Sequence, residues 1–225
     1  MLGSWSGDTG GEAAEGGEMG APARESSIDL YWIPLGAGGR VVRWNGRLYE
    51  AISSRCSGRP AAALYHSALI VGDRSHSYTI EMAPVWNLKA TQRGVVRVGP
   101  VGARWLGRFR LFRYEVRCWQ GGFIPDIAEA VDSPQRVSSD EGRVRRVMTL
   151  VRSAPPLTWG RDELRVGDMW NSNSLVSWLL ACSGHDMAAV TPPGGGRAPG
   201  WDAGLALAER GDQTTTQARL DHVDV

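Results

Sequence analysis

Residues 63–85 read "ALYHSALIVGDRSHSYTIEMAPV". Two runs rich in aliphatic and aromatic residues, 63–71 and 77–85, flank Gly72-Asp73 and a short polar stretch. Such runs, separated by a glycine-containing turn signal, predict a β-hairpin. Working outward, "GVVRVGPVG" (94–102) and "GRFRLFRYEVRCW" (107–119) predict two further strands. In the second, Phe109, Leu111 and Arg113 alternate with Arg108, Arg110 and Phe112, which puts arginines on a face near water. Upstream, residues 39–54 place Val41, Val42, Leu48 and Ile52 near helical spacing, a pattern weakened by Gly46. Downstream, "SDEGRVRRVMTLV" (139–151) predicts a helix capped by Ser139 or Asp140. "NSLVSWLLACSG" (173–184) predicts another, stopped by Gly184, with Leu175, Trp178, Leu179 and Cys182 at helical spacing. The expected architecture is α+β, a largely antiparallel sheet packed against helices, in a single domain over 28–208.

The flanks differ from this body. Residues 1–26 hold seven glycines and five acids against one arginine, too little apolar surface to offset the entropy of ordering. They are expected to be disordered, and 209–225, polar with a Thr-Thr-Thr run, is expected to fray. The net charge of +1 gives no global argument for nucleic acid or an anionic membrane. The opening residues carry no secretory pattern, and no apolar stretch reaches the ~20 residues of a membrane span, so a cytoplasmic location is expected. Cys56, Cys118 and Cys182, odd in number and widely spaced, predict neither a disulfide framework nor a zinc site. No metal or cofactor is expected: His185-Asp186 lacks companion ligands, and the glycine-rich 192–201 follows no predicted strand and has no Walker lysine. That segment reads as a loop tied down by Trp201, and "WGRDEL" (159–164) as a turn and helix start.

Three residues stand out chemically. His66 interrupts an apolar strand and, if buried, needs a polar partner. Glu81 sits between Ile80 and Met82 in the next strand, facing solvent or orienting another group. Ser172 belongs to Asn171-Ser172-Asn173-Ser174, more polar residues than one helix cap requires. A hydroxyl at a helix start faces free backbone N–H groups and the positive dipole end, where a developing anion is stabilised. Nucleophile, histidine base and orienting acid are together the set that acyl transfer uses.

"YHSALIV", then "YTIEM", then much later "WNSNSLVSWLL" resembles the circularly permuted branch of the NlpC-type papain-like superfamily, over roughly 60–185. That branch includes lecithin retinol acyltransferase-like and PPPDE-type proteins. The resemblance implies a permuted papain-like domain with His66 as the histidine, Glu81 at the orienting position and Ser172 at the nucleophile position. Asn171 and Asn173 would serve capping and the oxyanion. The family has cysteine where this chain has Ser172. A thiolate is strongly nucleophilic, whereas a serine must lose its proton during attack. Two readings follow. One is a hydrolase or acyl transferase acting on an amide, thioester or ester; the other is a catalytically inactive relative that binds a peptide or lipid-like ligand. Neither involves nucleic acid, and neither fixes an oligomeric state.

Overall fold

The structure is a computed structural model that describes residues 25–35, 62–85, 94–124 and 126–220, the side chains of 214–220 excepted. Among the described residues six strands form one sheet: β1 (Ser27–Pro34), β2 (Tyr65–Gly72), β3 (Ser77–Pro84), β4 (Val95–Pro100), β5 (Arg113–Gln120) and β6 (Val131–Ser138). Their order is β4-β5-β3-β2-β1-β6, and each neighbouring pair is antiparallel. With them stand three α-helices, α1 (Glu141–Leu150), α2 (Ser172–Cys182) and α3 (Trp201–Leu220). The fold is α+β with an antiparallel sheet.

The hairpin forms as its sequence predicts. Asp73 turns the chain by accepting backbone N–H bonds from Ser75 at 2.8 Å and His76 at 2.6 Å. Those two bonds hold the Asp73 carboxyl below its ordinary pKa. The β2–β3 ladder then runs only from Gly72↔Ser77 to Leu69↔Ile80. Beyond it the strands part: β2 continues against β1 as far as Tyr65, and β3 against β5 as far as Pro84. Beside the start of β2 runs the glycine-rich segment. Tyr65 N donates to Arg197 O and Arg197 N to Ala63 O, each at 2.8 Å, forming a parallel bridge at Leu64.

Strand alternation sorts the sheet into two faces. One carries Leu30, Trp32, Leu69, Val71, Ile80, Met82, Tyr114 and Val116, all buried in a core with Val144 and Val147 of α1 and Leu175, Val176, Leu179 and Leu180 of α2. The helices cover this face. On the other, Ile33 and Ala68 pack with Ile124 from the connection after β5.

Two helix starts obey simple capping. The Asp140 side chain accepts from Arg143 N at 2.7 Å. Asn171 caps α2 in a capping box, its side chain accepting from Asn173 N and Ser174 N while the Ser174 hydroxyl accepts from Asn171 N at 3.0 Å. Gly184, at φ +84°, ends that helical stretch.

Elsewhere sequence and structure differ. Residues 107–112 are not strand. Two short 3-10 turns, Arg104–Arg108 and Arg110–Phe112, precede β5, because the Arg113 guanidinium folds back onto the carbonyls of Gly107 and Arg108. α3 runs to Leu220, so the boundary expected at 208/209 falls inside a helix. β1 and β6 carry no strand expectation from the sequence, and both belong to the sheet. Of the 1–26 expected to be disordered, residues 1–24 lie outside the described residues, as does the expected helix over 39–54, while Ser26 is buried just before β1.

Candidate functional site

α2 is amphipathic only weakly, and its first nine residues, Ser172 to Leu180, are all buried. Burial of so many polar groups at a helix start requires partners. Asn173 has three. It accepts from the Ser67 hydroxyl at 2.8 Å and donates to Tyr65 O at 2.9 Å and Pro199 O at 2.8 Å. Asn171 also donates to Pro199 O, at 2.7 Å, and Ser174 donates to Met169 O at 2.9 Å. Ser172 differs: its hydroxyl makes no hydrogen bond to any described residue, although the residue is 7% exposed.

The helix start is thereby fixed to the beginning of β2 and to the glycine-rich segment. Asp168 secures the far side of that segment, accepting from Gly200 N at 2.8 Å and from Asp202 N at 3.2 Å at the start of α3. Burial raises the Asp168 carboxyl against the lowering effect of these bonds. Sequence reading gave Asp168 no role. Its position just before the Trp-Asn run was visible, but its partners lie 32 residues further on.

His66 and Glu81 share one face of the sheet. Leu69 and Ile80 are paired on the helix-covered face, so His66, three residues from Leu69, and Glu81, next to Ile80, both point to the opposite one. His66 is also paired with Ile33, whose side chain lies in the small second-face cluster. Burial pulls the imidazole pKa down to about 4, with the Asp126 carboxylate acting weakly against it.

Glu81 is already engaged. It receives Nη1 of Arg117 at 2.9 Å, and Arg117 Nε reaches Glu115 at 3.0 Å. Arg117 is fully buried, and both carboxylates are more than nine-tenths buried. Burial raises the Glu81 pKa, with the Arg117 hydrogen bond and charge opposing. An acid with its own buried arginine ties β5 to β3 rather than orienting an imidazole.

Ser172, His66 and Glu81 are therefore not brought together as a hydrogen-bonded triad. No bond joins Ser172 to His66 or His66 to Glu81 among the described residues, and Asn173 N–H, expected at the oxyanion, is directed to Asn171 Oδ1 at 2.9 Å. The physical reason is a period of two: burial of Tyr65, Ser67, Leu69 and Val71 turns Ser67 to the helix and His66 away.

A polar cleft of about 410 Å³ lies apart from all three, lined by Arg104, Thr158, Arg161, Asp162 and Glu163. At "WGRDEL" the expected turn forms but the expected helix start does not: Asp162 instead accepts from Val166 N and Gly167 N, both at 2.9 Å, in irregular backbone. Among the described residues no group of three metal-ligating side chains occurs, and no helix is long and apolar enough to cross a membrane. Comparison with protein-family models, curated proteins and solved structures finds no match for this chain.

Proposed function

We propose that this domain is a catalytically idle member of the permuted papain-like superfamily that works by binding a peptide or lipid-like ligand. One observation carries the reading: Ser67, not His66, meets the start of α2. A general base must come within hydrogen-bond reach of the proton that it removes. An imidazole held near pKa 4 is also a weak base at neutral pH. Asn171, Asn173 and Ser174 at the helix start are committed to neighbouring backbone, an arrangement that builds rigidity rather than turnover.

A second reading rests on Ser172. Its hydroxyl is uncommitted while Asn171, Asn173 and Ser174 are all engaged, as a nucleophile's would be. A fluorophosphonate probe separates the two. The binding reading expects no labelling of Ser172. Labelling that is lost in both Ser172→Ala and His66→Gln would instead establish a hydrolase or acyl transferase, and the binding reading would be abandoned.

A further inference from the structure

The connection between β4 and β5 exposes large apolar side chains. Its two 3-10 turns contain no buried residue, and Trp105 is 63%, Leu111 61%, Phe109 47% and Phe112 38% exposed. Its base is nevertheless firm. Val101 N donates to Phe112 O, Gly102 N to Trp159 O and Trp159 N to Pro100 O, each at 2.9 Å. Arg104 is paired with Glu163 at 2.9 Å, and Arg113 ties the turns together from beneath. A rigid loop that presents unburied Trp, Phe and Leu is a binding surface rather than a packing failure.

Charge specifies the partner. Residues 104–113 hold four arginines and no acid, and Arg108 and Arg110 among them are exposed. At the tip, the Arg108 guanidinium lies over Phe109 at 4.6 Å and Trp105 at 5.5 Å, so cation and apolar surface are interleaved. We propose that residues 104–112 dock this domain on the surface of an anionic phospholipid bilayer. Leu111, Phe109 and Phe112 enter the headgroup–acyl boundary, Trp105 sits at the interface, and Arg108 and Arg110 meet lipid phosphates. The overall charge of +1 does not oppose this, because such attraction is local and falls off within a Debye length.

Single-stranded nucleic acid fits less well. Leu111 offers no ring for base stacking, and Arg108 already covers the faces of Trp105 and Phe109. A second copy on a two-fold axis would set arginines against arginines. The proposal does not depend on whether Ser172 is a nucleophile, so its test and the fluorophosphonate test fail separately.

The full chain is floated with vesicles of phosphatidylcholine alone or mixed with phosphatidylserine. Binding is expected only to the mixed vesicles and to fall as salt rises. Arg108→Ser with Arg110→Ser should weaken it about twenty-five-fold, at roughly fivefold for each arginine near the surface. Leu111→Glu, at an exposed site where folding is not at stake, should abolish it. Failure to bind mixed vesicles, or binding that Leu111→Glu leaves intact, would overturn the proposal. So would tighter binding of a labelled oligothymidylate than of vesicles, or a dimer that Leu111→Glu disperses.

Discussion

The Ser67 hydroxyl on β2 donates to Asn173 Oδ1 on α2 at 2.8 Å, joining strand and helix across 106 positions of sequence. The same amide donates to two carbonyls, Tyr65 O and Pro199 O, so one side chain fastens three segments. Asn173→Ala should cost about 2–3 kcal/mol, because it strands the Ser67 hydroxyl and the Tyr65 carbonyl in a buried place, Pro199 O keeping its bond from Asn171. Ser67→Ala, which strands one acceptor, should cost about 1 kcal/mol. Urea denaturation of both single variants and the double variant checks this. Strict additivity would mean that the two side chains do not interact.

Arg117 is the counterpart on the other face. Its removal leaves Glu81 and Glu115 buried without the cation that joins them. Arg117→Met should destabilise the domain by about 3–5 kcal/mol, as expected for one broken partner in a buried pair. Glu81→Gln keeps a hydrogen-bond acceptor toward Arg117 and removes a charge that burial disfavours, so its cost should be clearly smaller. Thermal melts of the two variants side by side test the ranking.

The pH profile should report His66. Its pKa falls from 6.5 in the unfolded chain to about 4 in the fold. Between those values the unfolded state binds more protons, so stability rises with pH through this window and is lost as pH falls through it. The limb amounts to about 3 kcal/mol. His66→Gln removes it. Urea midpoints for wild type and variant, compared just above and well below the ordinary histidine pKa, should move in the variant's favour toward the acid side, where only wild type loses this contribution. A parallel offset at every pH would show that His66 does not drive the limb.

The hairpin was legible because its signals are local: alternating apolar runs, a Gly-Asp turn, and an acid at the turn able to take backbone N–H groups. The same holds for Asp140 and Asn171, caps readable from the few residues that follow. Residues 107–112 misled because alternation of arginine and apolar groups imitates a strand. Their actual shape depends on Arg113 reaching back to carbonyls five and six residues away. β6 escaped notice for another reason. It alternates half-buried and exposed residues at the sheet edge and contains Pro134, which argues against a central strand. In the candidate site, His66 and Glu81 share a face because the Leu69–Ile80 pair fixes the alternation of both strands. Which face α2 would cover could not be read from either segment, since that depends on the packing of Leu175, Val176 and Leu179 against Leu69 and Ile80.

Two glycines of α3 should answer the same substitution with opposite signs. Gly204 stands against the first turns of α2, where an added Cβ would overlap Ser177 Oγ and the Ser174 carbonyl. The Ser174 carbonyl belongs to backbone and cannot rotate aside, and the Ser177 hydroxyl donates to Trp201 O at 2.8 Å. Gly204→Ala should therefore force α3 away from α2 and cost about 1–3 kcal/mol, the range for overpacked sites, even though alanine is the better helix former. At Gly211, an added Cβ meets nothing within 4 Å. There helix propensity acts alone, and Gly211→Ala should stabilise the protein by up to about 1 kcal/mol. Chemical denaturation of the two variants measures both signs at once. If Gly204→Ala were neutral or stabilising, α3 would not lie against the α2 start as described. The anchoring of Asn171 and Asn173 on Pro199 would then need a different explanation.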